Sequence, residues 1–129
     1  MKSLLLPALF FATALAAHAA NPGSATVSIA GTWKIHSEVA GNEYDSKCTL
    51  TQTDNVIGGT CTTAEGKDVK ATGKVDGSDF TWSYDSEYNG TPMTITYKTT
   101  VSAQTDKLSG TLTVDPFNAE GDFTAVAEK

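Results

Sequence analysis

Ile29-Ala30-Gly31-Thr32-Trp33-Lys34-Ile35 decides the fold class. Trp33 and Ile35 fall on one side of an extended chain and Thr32 and Lys34 on the other, the two-residue period of a half-buried β-strand. Downstream, short runs rich in Val, Ile, Thr, Tyr and Trp alternate with Gly, Asn and Asp clusters about every twelve residues, which predicts an antiparallel all-β domain over residues 29–129.

Directly opposed residues in a hairpin share a face, so each turn tests the first strand's assignment. A Gly41-Asn42 turn sets Val39 against Tyr44, Ile35 against Cys48 and Trp33 against Leu50. An Asp54-Asn55 turn sets Leu50 against Gly59 and Cys48 against Cys61. A three-residue loop, Ala64-Glu65-Gly66, brings Val69 opposite Cys61, and Gly77-Ser78 places Phe80 against Val75 and Trp82 against Gly73. Asn89-Gly90, the strongest hairpin signal in the chain, pairs Tyr84 with Ile95 and Trp82 with Tyr97. A four-residue loop from Ala103 to Asp106 sets Val101 against Leu108 and Tyr97 against Leu112. A longer connection through Asp115-Pro116-Phe117-Asn118 then turns Phe123 toward Leu112 and Ala125 toward Gly110. All seven hairpins agree on one apolar face, while the other face carries Lys34, His36, Thr49, Lys70, Thr81, Thr96 and Lys98. Eight sequential strands with one dry face fold as an up-and-down (meander) β-barrel or as an open meander sandwich. The barrel is expected, because closure removes both exposed edges.

Cys48 and Cys61 fall on a non-hydrogen-bonded pair, where Cα atoms approach to about 4.5 Å, so one disulfide within a hairpin is expected. There is no C-x-x-C spacing to suggest redox or metal chemistry. Oxidation agrees with the start of the chain, where Lys2, the apolar run Leu4 to Ala16 and Ala17-His18-Ala19 read as a signal peptide over residues 1–19. The run is too short to span a bilayer. A periplasmic or secreted chain without membrane insertion is expected, beginning with a flexible arm, residues 20–28, that contains Asn21-Pro22-Gly23-Ser24.

Loss of Lys2 with the leader would take the formal charge from −6 to −7, and the nine basic residues are all lysine. Nucleic-acid binding needs a basic face, and bidentate phosphate recognition favours guanidinium, so neither is expected. A basic partner fits better. The end of the barrel with the first, third, fifth and seventh connections collects Glu38, Glu43, Asp45, Glu65, Asp68, Asp85, Glu87, Asp115, Glu120 and Asp122, ten of the fifteen acidic residues. Tyr44, Tyr84, Tyr88 and Phe117 lie among them, a mixture suited either to solvation or to a docking rim. No D-x-D-x-D-G calcium loop is present.

The inward positions hold aromatic, aliphatic and small residues with no Asp, Glu, Lys or His. General acid-base catalysis needs a group that titrates near working pH, and His36, the one histidine after the leader, points outward. No catalytic residue, metal or cofactor is assigned. The inward glycines either lie beneath large neighbours, as Gly73 beneath Trp82, or leave a pocket. Such a pocket would be lined by Trp33, Tyr44, Trp82, Tyr84, Met93 and Tyr97, apolar with a few hydroxyls.

Gly31-Thr32-Trp33 at the start of an eight-stranded barrel resembles the G-x-W signature of the calycins, among them lipocalins, fatty-acid-binding proteins, avidins and bacterial metalloprotease inhibitors. The chain lacks the arginine with which lipocalins cap that tryptophan, and has Ile35 where avidins present a polar biotin contact. Ile29 to Trp33, Cys48-Thr49-Leu50 and Gly58-Gly59-Thr60-Cys61 resemble the opening strand and disulfide hairpin of the metalloprotease inhibitors, whose N-terminal arm enters the protease cleft. Three functions are therefore expected in descending order. The first is a monomeric, non-enzymatic carrier of a small apolar or amphiphilic molecule. The second is an inhibitor of a secreted metalloprotease or other basic enzyme, acting through the arm or the acidic rim. The third is a cofactor-free isomerase or cyclase.

Overall fold

The computed structural model describes residues 27–128, so the leader and residues 20–26 of the arm lie outside the described residues. Eight antiparallel strands follow in order: β1 (Gly31–Val39), β2 (Asn42–Thr53), β3 (Val56–Thr62), β4 (Asp68–Asp76), β5 (Asp79–Tyr88), β6 (Thr91–Thr100), β7 (Lys107–Asp115) and β8 (Ala119–Ala127). Each pairs with its sequence neighbours, and β1 pairs with β8 from Trp33↔Ala127 to Val39↔Gly121, which closes the barrel. The sandwich alternative is thereby removed.

Four hairpins keep the expected pairings: Cys48↔Cys61, Cys61↔Val69, Trp82↔Gly73 and Tyr84↔Ile95. Two registers differ. The β1–β2 turn is Ala40-Gly41 rather than Gly41-Asn42, so Val39 opposes Asn42, Ile35 opposes Ser46 and Trp33 opposes Cys48. Ala40 and Gly41 have φ of 52° and 83°, nearly the values of Asn89 and Gly90 (52° and 81°), so the same left-handed pair builds both turns. In β7–β8, Phe123 opposes Gly110 and Leu112 opposes Gly121, not Phe123 against Leu112. Steric fit explains the second shift, since a Cβ on Gly110 would lie 3.1 Å from the Phe123 ring and 2.0 Å from the Lys98 carbonyl oxygen. Both corrections are slips of two residues, which leave every side chain on its expected face. The β6–β7 ladder ends at Thr99↔Gly110, so Val101 does not oppose Leu108; its N–H donates instead to the Ser78 carbonyl.

The even-numbered connections gather at one end and are tied together. Val75 N–H donates to Asn55 O, Val101 N–H to Ser78 O and Ala127 N–H to Asp106 O. Val27 to Ala30 lie across this end as a floor. Gln52 accepts from Ile29 N–H (3.0 Å) and donates to Val27 O (3.1 Å), while Gln104 accepts from Ser28 N–H (3.1 Å) and donates to Ser28 O (2.7 Å). Each glutamine amide thus supplies the donor and acceptor that a neighbouring strand would, and the last two residues of the anticipated arm are anchored. Trp33 Nε1 donates to Ile29 O at 2.8 Å, and Ile29 is buried beneath it.

Above the floor, the barrel is solid. Trp82 stacks on Tyr97 with centroids 5.3 Å apart and meets Phe123 edge-on, and Gly73 leaves room for the indole because a Cβ there would lie 2.8 Å from that of Trp82. The disulfide joins β2 to β3 with Cα atoms 3.9 Å apart and both cysteines buried. Such a bond fits an oxidising extracellular or periplasmic environment.

At the other end, the β5–β6 hairpin outruns its neighbours. The β4–β5 ladder stops at Ala71↔Tyr84 and the β6–β7 ladder at Thr94↔Asp115, whereas β5 and β6 stay paired to Tyr88↔Thr91. Residues 85–94 therefore form a ribbon held mainly by its own two strands. Local opening costs least where ladder contacts are fewest. In hydrogen exchange read by NMR, the cross-strand amides of residues 85–94 should exchange at least tenfold faster than those of residues 79–84, and equal protection would refute a separately opening ribbon.

Candidate functional site

The odd-numbered connections surround an open mouth, and below them is a cavity of about 510 Å³. Its walls come from β1 (Ser37, Val39), β2 (Tyr44, Ser46), β5 (Tyr84, Ser86), β6 (Met93, Ile95, Tyr97) and β7 (Leu112, Val114). The connections add Ala40, Ala64, Glu65, Asn89 and Phe117. The full and hollow alternatives posed by the glycines thus hold at different heights: the lower half is packed and the upper half is open.

Tyr44, Tyr84, Met93 and Tyr97 of the sequence-assigned ligand set line this cavity, and Trp33 and Trp82 do not. Trp33 caps the floor segment at the far end, and Trp82 lies within the packed layer with no accessible surface. Tyr97 shields Trp82, since its ring forms both the base of the cavity and the top of the stack.

That base is a chain of hydroxyls. Tyr84 Oη lies 3.1 Å from Tyr97 Oη, which lies 3.5 Å from Ser46 Oγ. Burial pushes the Tyr84 phenol far above its ordinary range, with the neighbouring Tyr97 adding to the shift, so Tyr84 stays protonated. Ser46 also interacts with Tyr84, so the three hydroxyls form one hydrogen-bonded group, and their remaining lone pairs give it acceptor capacity toward whatever enters the cavity. Ser37 also lines the wall, 3 % exposed, and its Oγ has no hydrogen-bond partner in the protein. Ser37 belonged to the apolar face in the sequence, but nothing there showed that its hydroxyl would lack a partner.

Two carboxylates, Glu65 and Glu87, line the mouth of the cavity, although the inward strand positions are free of charge. They come from the β3–β4 connection and the β5–β6 ribbon, where a strand-face argument does not reach. Tyr44, Tyr88 and Phe117 share the mouth and are 40 %, 54 % and 48 % exposed. Alongside it, a groove of about 650 Å³ between the start of β4 and the ribbon is lined by Lys67, Val69, Asp85, Pro92 and Asp115, and shares Thr63, Glu65, Ser86, Glu87 and Met93 with the cavity. The missing upper rungs of the β4–β5 ladder thus open the barrel sideways at the mouth.

His36 is outside the barrel, as its register requires. Nδ1 faces Asp45 at 2.7 Å and Nε2 faces Glu43 at 3.2 Å, and these hydrogen bonds, Asp45 first, raise its pKa above the usual 6.5. The two nitrogens address different carboxylates, so the three side chains do not converge on one point. Among the described residues, no group of three or more His, Cys, Asp or Glu side chains is placed to hold a metal. No protein-family model matches the chain, and no curated protein is significantly similar to it in sequence.

Proposed function

We propose that this protein is an exported, non-enzymatic barrel that binds a small apolar or amphiphilic molecule in the upper half of its interior. The observation that carries the reading is the cavity itself, closed below by the Trp82–Tyr97 stack, open above, and walled by Val39, Ile95, Leu112 and Val114 with a few hydroxyls at its base. Ligand sites commonly combine apolar walls with sparse, convergent polar groups, and 510 Å³ is within their usual size. Catalysis is the weaker reading. Tyr84 is held protonated by burial and is no base at neutral pH, and among the described residues the carboxylates lining the cavity, Glu65 and Glu87, are at its mouth. Export agrees with the leader in the sequence and with the disulfide.

The neutral fluorophore N-phenyl-1-naphthylamine tests this directly. Its emission should rise saturably with one site per chain. Met93→Trp, which fills the upper cavity without touching the hydroxyl chain, should weaken that binding at least tenfold while far-UV circular dichroism stays unchanged. Absence of saturable binding, or full affinity in the folded variant, would remove the proposal.

A further inference from the structure

We infer that the cavity discriminates by charge, taking amphiphiles that carry an ammonium or quaternary ammonium group and rejecting those that end in a carboxylate. The inference rests on the binding reading above and specifies its ligand class. Consider where a charged end could lie. At the base, the polar groups are the hydroxyls of Ser37, Ser46, Tyr84 and Tyr97, all uncharged. An anion placed there would lose its hydration with no cation to replace it, a cost that neutral hydroxyls do not offset. Among the described residues, no lysine or histidine lines the cavity at any depth.

At the mouth, the lining charges are Glu65 and Glu87, the adjoining groove adds Asp85 and Asp115 against the single cation Lys67, and the chain as a whole carries a formal charge of −6. A carboxylate left at the rim would meet like charge, whereas a cation would meet opposite charge. The exposed rings of Tyr44, Tyr88 and Phe117 favour the same choice, because the faces of aromatic rings attract alkylammonium ions. Ser37, in the wall of the same cavity, has a buried hydroxyl with no hydrogen-bond partner in the protein, where buried polar groups ordinarily find one. The ligand so described has an apolar body with an uncharged inner end beside the hydroxyls and a cationic outer end at the Glu65–Glu87 rim.

The experiment compares three probes with the same alkyl chain, octyltrimethylammonium, 1-octanol and octanoate, by calorimetric titration of the full chain. Octyltrimethylammonium should bind at least tenfold more tightly than octanoate, with octanol between them. Added salt should narrow the gap, as the rim charges are solvated. A Glu65→Gln/Glu87→Gln double variant, altered only at exposed positions, should lose most of the gap while its affinity for octanol holds. Equal or tighter binding of octanoate would overturn the charge preference, and so would an undiminished gap in the double variant. If none of the three probes binds, the binding-barrel reading itself falls and the preference with it; octanol binding without discrimination would sink the preference alone.

Discussion

Trp82→Ala should destabilise the barrel by about 3–5 kcal/mol, the range for a fully buried aromatic cut to alanine. The indole has no accessible surface, stacks on Tyr97 at 5.3 Å and packs edge-on to Phe123 at 5.8 Å, in space left by Gly73 on the facing strand. Its removal leaves a void among strands that cannot move inward, because each is hydrogen-bonded on both sides in a closed ladder. Urea unfolding followed by circular dichroism measures the loss directly, and a chain of this size should show a fall in Tm of more than about 12 °C. Met93→Ala provides the contrast. Met93 is half-buried at the mouth, so its truncation should cost less than about 1.5 kcal/mol. A Trp82→Ala cost as small as that of Met93→Ala would mean that the lower barrel is not the packed layer described above and that the indole is part of a pliable ligand wall.

The difference between these two residues marks the limit of what the sequence discloses. Alternation assigns Trp33, Trp82, Met93 and Tyr97 to one face, and the structure keeps them there. Depth along the barrel is another matter. It depends on which end is closed, and closure comes from Val27 to Ala30 held by the Gln52 and Gln104 amides. Gln104 lies 76 residues from the backbone it pairs with, so no local pattern announces the contact. The two register shifts have a related cause: a slip of two residues preserves faces, and only the fit of Phe123 over Gly110, or the backbone angles of Ala40-Gly41, selects between the alternatives. The charged part of the candidate site was hidden for the opposite reason. Glu65 and Glu87 were legible as members of an acidic rim, but their place at the cavity depends on where the β4–β5 ladder stops.

Loss of the Cys48–Cys61 bond is expected to lower the free energy of unfolding by about 3 kcal/mol, and the size follows from chain entropy. The cysteines are 13 residues apart, so the bond closes a short loop in the unfolded chain. In the folded chain, the same two strands are already aligned by backbone pairing from Lys47↔Thr62 to Thr53↔Val56, and the cross-link adds little order there. The effect should therefore appear chiefly through the unfolded state. A Cys48→Ala/Cys61→Ala variant should unfold at lower urea with a steeper dependence on denaturant, because the released chain exposes more surface. It should still bind N-phenyl-1-naphthylamine with nearly unchanged affinity, since neither cysteine lines the cavity. A loss below about 1 kcal/mol with an unchanged slope would show that the unfolded chain is no less constrained without the bond. Loss of binding in a folded variant would instead show that the β2–β3 hairpin shapes the cavity from below, and the separation between a packed, stapled lower barrel and a receptive upper one would no longer stand.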